Sequence, residues 1–413
     1  MSKPTINTTR LNRTLEELGH FGATPQGMQR LAFSPSDIAC REYTIQLMHQ
    51  AGLETRIDQA GNIIARKSGS DPSLPAISLG SHLDTVPHGG KYDGALGVMG
   101  AVEVVQTLAD AHHGLRHPIE VLVFTNEEGT RFHRWLFGSR AMAGLLERED
   151  MTAIDDEGVS MGSRLTDIGG DLTNVAAAQR RTGEMAAYLE LHIEQGPTLY
   201  QNGTPIGVVT GITGRSVFSV NITGTANHAG TTPMGSRHDA LVSASRLVLA
   251  VNRVAQDLEI CRVGTVGHLH VQPNAVNVVP GQVNLGVEFR DVDINALSGA
   301  EVELRRTAAE IARADGVTIE LTVLESTPSV PISGAMQKLV SEAADMGGFA
   351  YERLPSGAGH DAQAMAAITR AAMIFVPSVD GISHAPDEFS SPEDCANGTQ
   401  VLLNLLLLAD ERL

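Results

Sequence analysis

Two spacings of apolar residues alternate along the first half of the chain. Asp37–Gly52, DIACREYTIQLMHQAG, places apolar residues at helical intervals and stops at a glycine. AISLGSHLD (residues 76–84) and IEVLVFTNEEG (119–129) are short apolar runs that break into polar loops, the pattern of buried strands. Between them, GALGVMGAVEVVQTLADA (94–111) reads as a helix of small residues. Helix and strand in alternation predict an α/β domain with a mainly parallel sheet. In such sheets functional side chains gather on loops beyond the carboxyl ends of the strands, where SHLD and TNEEGTRF would lie.

The middle of the chain has a different order. From Gly214 to Leu324 the pattern gives strand (SVFSVNITG), helix (DALVSASRLVLAVNRVAQ), two strands (CRVGTVGHLHV and GQVNLGVEFRDV), helix (GAEVELRRTAAEIARADG) and strand (VTIELTVLE). This βαββαβ order predicts an inserted domain. The expected division is residues 1–213 and 330–413 for the first domain and 214–329 for the insert, with crossings near Gly211–Gly214 and Ser326–Ser333. The apolar run LLNLLLLA near the C-terminus is too short to span a bilayer. It follows SPED, where Ser391 can cap a helix, Pro392 suits the first turn, and Glu393 and Asp394 favour its positive end. A terminal helix packed into the core is expected.

Composition narrows the class. At 413 residues the chain exceeds one ordinary core, and 42% hydrophobic with 19% charged residues is a soluble globular balance. A net charge of -18 disfavours nucleic acid and anionic membrane surfaces as partners. A small anionic substrate stays compatible, because a local site can be positive within an acidic protein. Cys40, Cys261 and Cys395 are far apart and form no CxxC, so buried thiols are expected rather than a disulfide framework. The opening MSKPTINTTRLNRTL has no signal-peptide apolar stretch, and a cytoplasmic protein is expected.

Candidate chemistry comes from four segments that each follow an apolar run. GSHLDTVPHGGKYDG holds His82, Asp84 and Asp93; FTNEEGTRF holds Glu127 and Glu128; LELHIEQGPTL holds His192; GISHAPDEFS holds His384. Alone, each has an ordinary reading as loop or surface. As a set they bring carboxylates and imidazoles from separate strand ends, which suits a pair of divalent ions sharing a carboxylate, with a further carboxylate free to move a proton.

With GSRAMAG, NHAGTTPM, PNAVNVVPG, FRD and SGAGHDA added in order, nearly the whole chain resembles the dinuclear-metal amidohydrolases of the M20 peptidase superfamily, in the hydantoinase/carbamoylase group. The resemblance implies a metallohydrolase domain carrying an inserted lid and dimerisation domain, and a homodimer. It assigns His82, Asp93 and His192 to one metal and Asp93, Glu128 and His384 to the other, with Asp93 bridging. Asp84 would fix the His82 ring, and Glu127 would be general base and then acid. His228 would stabilise the oxyanion, Arg290 would clamp a substrate carboxylate as an arginine fork, and Gln195 and Asn277 would add polar contacts. Gly357, Ala358 and Gly359 would offer backbone N–H groups to the substrate. Zinc fits these ligands; manganese, cobalt or nickel can occupy the same groups.

The implied reaction is cleavage of a C–N bond in a small anionic ureido or amide acid. First is an N-carbamoyl-L-amino acid, giving amino acid, ammonia and carbon dioxide. Allantoate, then N-carbamoyl-β-alanine, then a dipeptide or acylated amino acid follow, beside a metal-binding relative without activity. His192 argues against the peptidase branch, whose members carry a carboxylate there, and Glu127 against an inactive relative. The remaining departure is GTRFHRWLFGSR, where His133, Arg134 and Trp135 form a bulky basic loop able to shape the substrate pocket. His360 and Asp361 are expected to hold their loop rather than do chemistry.

Overall fold

A computed structural model describes residues 4–413. The chain divides into two compact units, residues 1–210 with 332–413, and residues 211–331. In chain order the first unit contains α1 (Thr8–Leu18), α2 (Pro35–Gln50), β1 (Glu54–Ile57), β2 (Ile63–Lys67), β3 (Ala76–His82), α3 (Ala95–Asp110), β4 (Ile119–Phe124), β5 (Met185–Ile193) and β6 (Ile206–Ile212). The insert contributes β7 (Gly214–Thr223), α4 (Ala240–Gln256), β8 (Val263–Gln272), β9 (Gln282–Asp291), α5 (Ile294–Asp315) and β10 (Thr318–Thr327). The chain closes with α6 (Gly334–Gly347), β11 (Tyr351–Ser356), β12 (Arg370–Val376) and α7 (Pro392–Arg412).

The sheet of the first unit runs β6-β12-β5-β3-β4-β2-β1, with β11 beside β6. Its middle, β12-β5-β3-β4, is parallel. Both flanks are antiparallel: β6 against β12, and β2 against both β4 and β1. The parallel expectation therefore holds for the four strands that carry the site, and the sheet as a whole is mixed. The β1–β2 reversal has a local cause. The Asp58 carboxylate accepts the N–H groups of Ala60 and Asn62, both at 2.9 Å, and closes a turn too short for a parallel crossover.

Every residue of β3, β4 and β5 is buried, as expected for strands covered on both faces. Helices α1, α3 and α7 pack on one another and α6 packs on α7, with α3, α6 and α7 against the central strands. The capping expected of α7 is present: Ser391 Oγ accepts the Asp394 N–H at 3.0 Å, with Pro392 in the first turn. The leucine run that follows is buried apart from the half-buried Leu407, and its one polar interruption, Asn404, donates to the Ala343 carbonyl at 2.9 Å. All three cysteines are free and buried. Among the described residues no helix is long and apolar enough to cross a membrane.

The insert is a four-stranded antiparallel sheet in the order β8-β9-β7-β10. Burial alternates along β7 and β9. Phe218, Val220 and Ile222 face inward with Leu285, Val287 and Phe289, and meet Leu247 and Val251 of α4 and Leu304 of α5. The opposite face is polar, where Asn284 donates to Asn221 at 2.8 Å and to Ser219 at 3.2 Å. One apolar face covered by two helices, each side chain worth about 1.5–3 kcal/mol when buried, gives this unit a core of its own.

Candidate metal centre

Strand register brings the candidate ligands together. His82 ends β3 opposite Phe124 of β4, and His192 on β5 lies opposite Phe375 of β12. The loops that follow these strands therefore leave the same edge side by side. They carry Asp84 and Asp93, Glu127 and Glu128, Gln195, and His384.

Two sets of donors result: His82, Asp93 and His192, and Asp93, Glu128 and His384, with the ligand atoms of each set within 4.8 Å of one another. Asp93 belongs to both. Its Oδ1 lies 3.3 Å from His82 Nε2 and 3.1 Å from His192 Nε2, while its Oδ2 lies 3.2 Å from His384 Nε2. Glu128 Oε2 completes the second set, 3.6 Å from His384 Nε2.

The tautomers test whether this set fits a cation. His82 Nδ1–H donates to the Asp84 carbonyl and His192 Nδ1–H to the Ile193 carbonyl, both at 2.9 Å. A carbonyl can only accept, so Nδ1 carries a proton in both rings; His192 Nε2 accepts the Gly94 N–H at 3.2 Å, and any Nε2 without its own proton turns a lone pair on an anionic Asp93 oxygen. That arrangement is repulsive unless a positive charge sits among the atoms. Glu128 Oε1 is also buried with no partner. The residues present therefore fit divalent ions.

Protonation shows the same demand for positive charge. Burial opposes a charged His82, but Glu127, Asp93 and Asp84 outweigh it and raise the ring well above the usual imidazole range. Asp93 is buried, yet the facing His192, His384 and His82 hold it well below the usual carboxylate range. The bond to Asp93 lifts His384 to about 9. Burial, then the Asp93 charge, lifts Glu128 to about 8.

Glu127 stands apart from both ligand sets. It is buried, with Oε2 3.6 Å from His82 Nε2. Burial raises it well above the usual carboxylate range against the pull of His82, and Asp361 and Glu128 add like charge. The two glutamates are fixed by one acid: Asp84 accepts the Glu127 N–H at 3.2 Å and the Glu128 N–H at 3.1 Å. This revises the part expected of Asp84. Its carbonyl, not its carboxylate, holds the His82 ring; the carboxylate lies 3.9 Å from Nδ1 and secures the glutamate loop instead.

Other expected contacts are also spent within the protein. The Gln195 amide donates to Asp93 Oδ2 at 2.7 Å and lies 3.3 Å from His384 Nε2, so it orients the shared carboxylate. The Ala358 N–H donates to Ser356 Oγ at 3.2 Å. Gln195 and His384 take left-handed φ values of 58° and 54°, strained for these residues and typical of side chains held for function.

Sequence reading passes over Glu388, although it lies four residues after His384. It is buried and accepts the N–H groups of Tyr92 and Asp93 at 3.0 and 3.1 Å, and the Ser383 hydroxyl at 2.9 Å. It thus fixes the backbone of the shared ligand. Behind the site, Glu190 accepts Ser81 Oγ at 2.8 Å and the Ala362 N–H at 2.9 Å, and the His360 ring lies 4.4 Å from that of His192.

In the insert, His228 is exposed and its Nδ1 accepts the Gly230 N–H at 3.0 Å, which leaves the proton on Nε2 as a donor. Asn277 lies beside it, its carbonyl accepting the Ala229 N–H at 2.9 Å. Arg290 pairs with Glu288 on β9.

Comparison with known proteins adds the following. Residues 78–408 match Peptidase family M20/M25/M40. The chain is 39% identical to an N-carbamoyl-L-amino-acid amidohydrolase of Paenarthrobacter aurescens, over 97% of this chain and 98% of that protein. It is 40% identical to an N-carbamoyl-L-amino acid amidohydrolase of Geobacillus stearothermophilus, over 96% and 97%. Its fold superimposes on a hydantoinase/carbamoylase family amidase from Burkholderia multivorans with a TM-score of 0.91 and 37% identity, covering 98% of both chains.

Proposed function

From the fact that this chain belongs to the M20/M25/M40 peptidase family, in its hydantoinase/carbamoylase branch, we propose an amidohydrolase that releases ammonia and carbon dioxide from N-carbamoyl-L-amino acids. The observation that carries the reading is a buried, unliganded Glu127 beside two donor sets that share Asp93 and include His192 rather than a carboxylate.

His82, Asp93 and His192 would hold one divalent ion and Asp93, Glu128 and His384 the other, zinc being our assignment. Bound there, the pair would polarise a carbonyl and acidify water enough for attack at neutral pH. The protein's own part is proton movement and orientation. Glu127 takes the proton of the attacking water and delivers it to the leaving nitrogen. Its position is fixed through the backbone by Asp84, so the carboxyl needs no ligand to hold it in place. His228 donates from Nε2 to the developing oxyanion, Asn277 adds a polar contact, and the Arg290 guanidinium receives the substrate carboxylate. Gln195 holds Asp93, and the Gly357–Gly359 backbone borders the substrate.

We assign the enzyme to the cytoplasm and read the insert as the surface of a homodimer. Its helices expose Val242, Leu249 and Val302, and Leu249 is 71% exposed. Sedimentation of the purified protein checks the dimer.

The test of function is ammonia release by metal-loaded enzyme from N-carbamoyl-L-amino acids, their D-enantiomers, N-carbamoyl-β-alanine and allantoate, with dipeptides followed as free amino acid. Preference for an L-carbamoyl compound is expected. Cleavage of dipeptides alone would overturn the meaning given to His192.

A further inference from the structure

The loop between Glu128 and the helix Phe137–Ala143 is pinned along its length. The Leu136 N–H donates to the Glu127 carbonyl at 2.7 Å, and the Asn126 amide to the Arg134 carbonyl at 2.9 Å. Gly129 has φ 64°, and a Cβ there would lie 2.4 Å from the Trp135 backbone nitrogen, so only glycine lets the loop fold back so closely. The loop's basic groups are engaged by acids. Arg134 donates to Asp150 at 2.7 Å and Glu147 at 2.8 Å, and His133 faces Asp156 at 3.7 Å.

Trp135 is turned to different surroundings. A Cβ on Gly359 would meet its Cζ3 at 2.1 Å, so the half-buried indole lies directly on the Gly359 backbone. Gly359 is followed by His360, whose ring packs on that of His192. Trp135 is itself followed by the residue bonded to Glu127. The chain's one tryptophan therefore links the loop after Glu128 to the loop before His360, beside the two donor sets.

We propose that Trp135 forms the wall of the substrate side-chain subsite and selects ureido acids with apolar side chains. The assignment rests on the amidohydrolase reading above. With the Arg134 charge taken up by Asp150 and Glu147, the loop presents the uncovered part of the half-buried indole beside the Gly359 backbone. An apolar side chain gains by leaving water there. The second ureido arm of allantoate would lose its water against the ring without a compensating bond, and N-carbamoylglycine has nothing to place on it.

The experiment measures kcat/KM of metal-loaded enzyme for N-carbamoyl-L-leucine, N-carbamoylglycine and allantoate, in wild type, Trp135→Ala and Trp135→Phe. Wild type should prefer leucine. Trp135→Ala should cut the leucine-to-glycine ratio about 10–100-fold at unchanged metal content, and Trp135→Phe should hold it within about threefold. The sole tryptophan gives a readout that needs no wall variant. In metal-loaded Glu127→Gln protein, the leucine compound should shift its emission more than the glycine compound does. A ratio unchanged in Trp135→Ala, or an emission that the leucine compound leaves unmoved, overturns the assignment and leaves the amidohydrolase reading standing. A wild-type enzyme that cleaves none of the three compounds overturns both.

Discussion

Glu127 and Glu128 are neighbours in the chain, share one anchoring acid, and still face different partners. Glu128 turns to His384 and the shared Asp93; Glu127 turns to His82 and is a member of neither donor set. The difference predicts separable variants. Glu127→Gln should keep both metal equivalents, read by elemental analysis, and lose turnover by roughly 10²–10⁴-fold. Glu128→Gln should lose metal as well as rate. Equal turnover in Glu127→Gln and wild type would remove it as the base. Gly94 gives a second test. It has φ 61°, and a Cβ there would lie 2.5 Å from the His82 ring, so Gly94→Ala must push a ligand out of place. Metal affinity should fall about 10–100-fold, as for lost support of a ligand, while the circular dichroism spectrum holds. The two donor sets were legible in the sequence because acids and imidazoles there interrupt runs otherwise apolar enough to be buried strands. The parts of Asp84, Gln195 and Glu388 were not, because each depends on which backbone N–H or carboxylate the folded loops bring to it. Residue type names a possible acceptor; only the fold names its donor.

Strands and helices were legible where periodicity was unambiguous and harder to place where pairing decides. The six elements of the insert and the four strands beneath the site follow from apolar spacing. The antiparallel flanks do not, since spacing says which face of a strand is buried and not which neighbour it meets. One flank did carry a readable cue: DQAGN, whose Asp58 closes the turn between β1 and β2. The start of α7 was fully readable, and its cap can be tested. Ser391→Ala removes the acceptor of the Asp394 N–H and should cost about 0.5–2 kcal/mol in urea unfolding, with kcat unchanged. A loss confined to activity would mean that the cap acts through the nearby His384 loop rather than on the helix.

The division of the molecule separates the two donor sets from the insert residues proposed to meet the substrate. All five members of the two donor sets, His82, Asp93, Glu128, His192 and His384, belong to the unit of residues 1–210 and 332–413, whereas His228, Asn277 and Arg290, which we propose meet the substrate, belong to residues 211–331. The ends left by removing the insert are already joined, because the Ile332 N–H donates to the Thr210 carbonyl at 3.0 Å. A chain in which a short glycine linker replaces residues 211–331 should therefore fold and bind two equivalents of divalent ion. Stripping the metal with a chelator should lower its melting temperature, since ligand present at about 100 times its Kd adds about 2.7 kcal/mol to the folded state. The excised insert, with its own four-stranded core, should unfold cooperatively and show no shift with metal. Turnover should vanish in the shortened chain if the oxyanion donor and the carboxylate clamp come from the insert. Turnover retained with an unchanged KM would remove His228, Asn277 and Arg290 from the reaction, and the search for the group that receives the substrate carboxylate would move to the metal-holding unit itself.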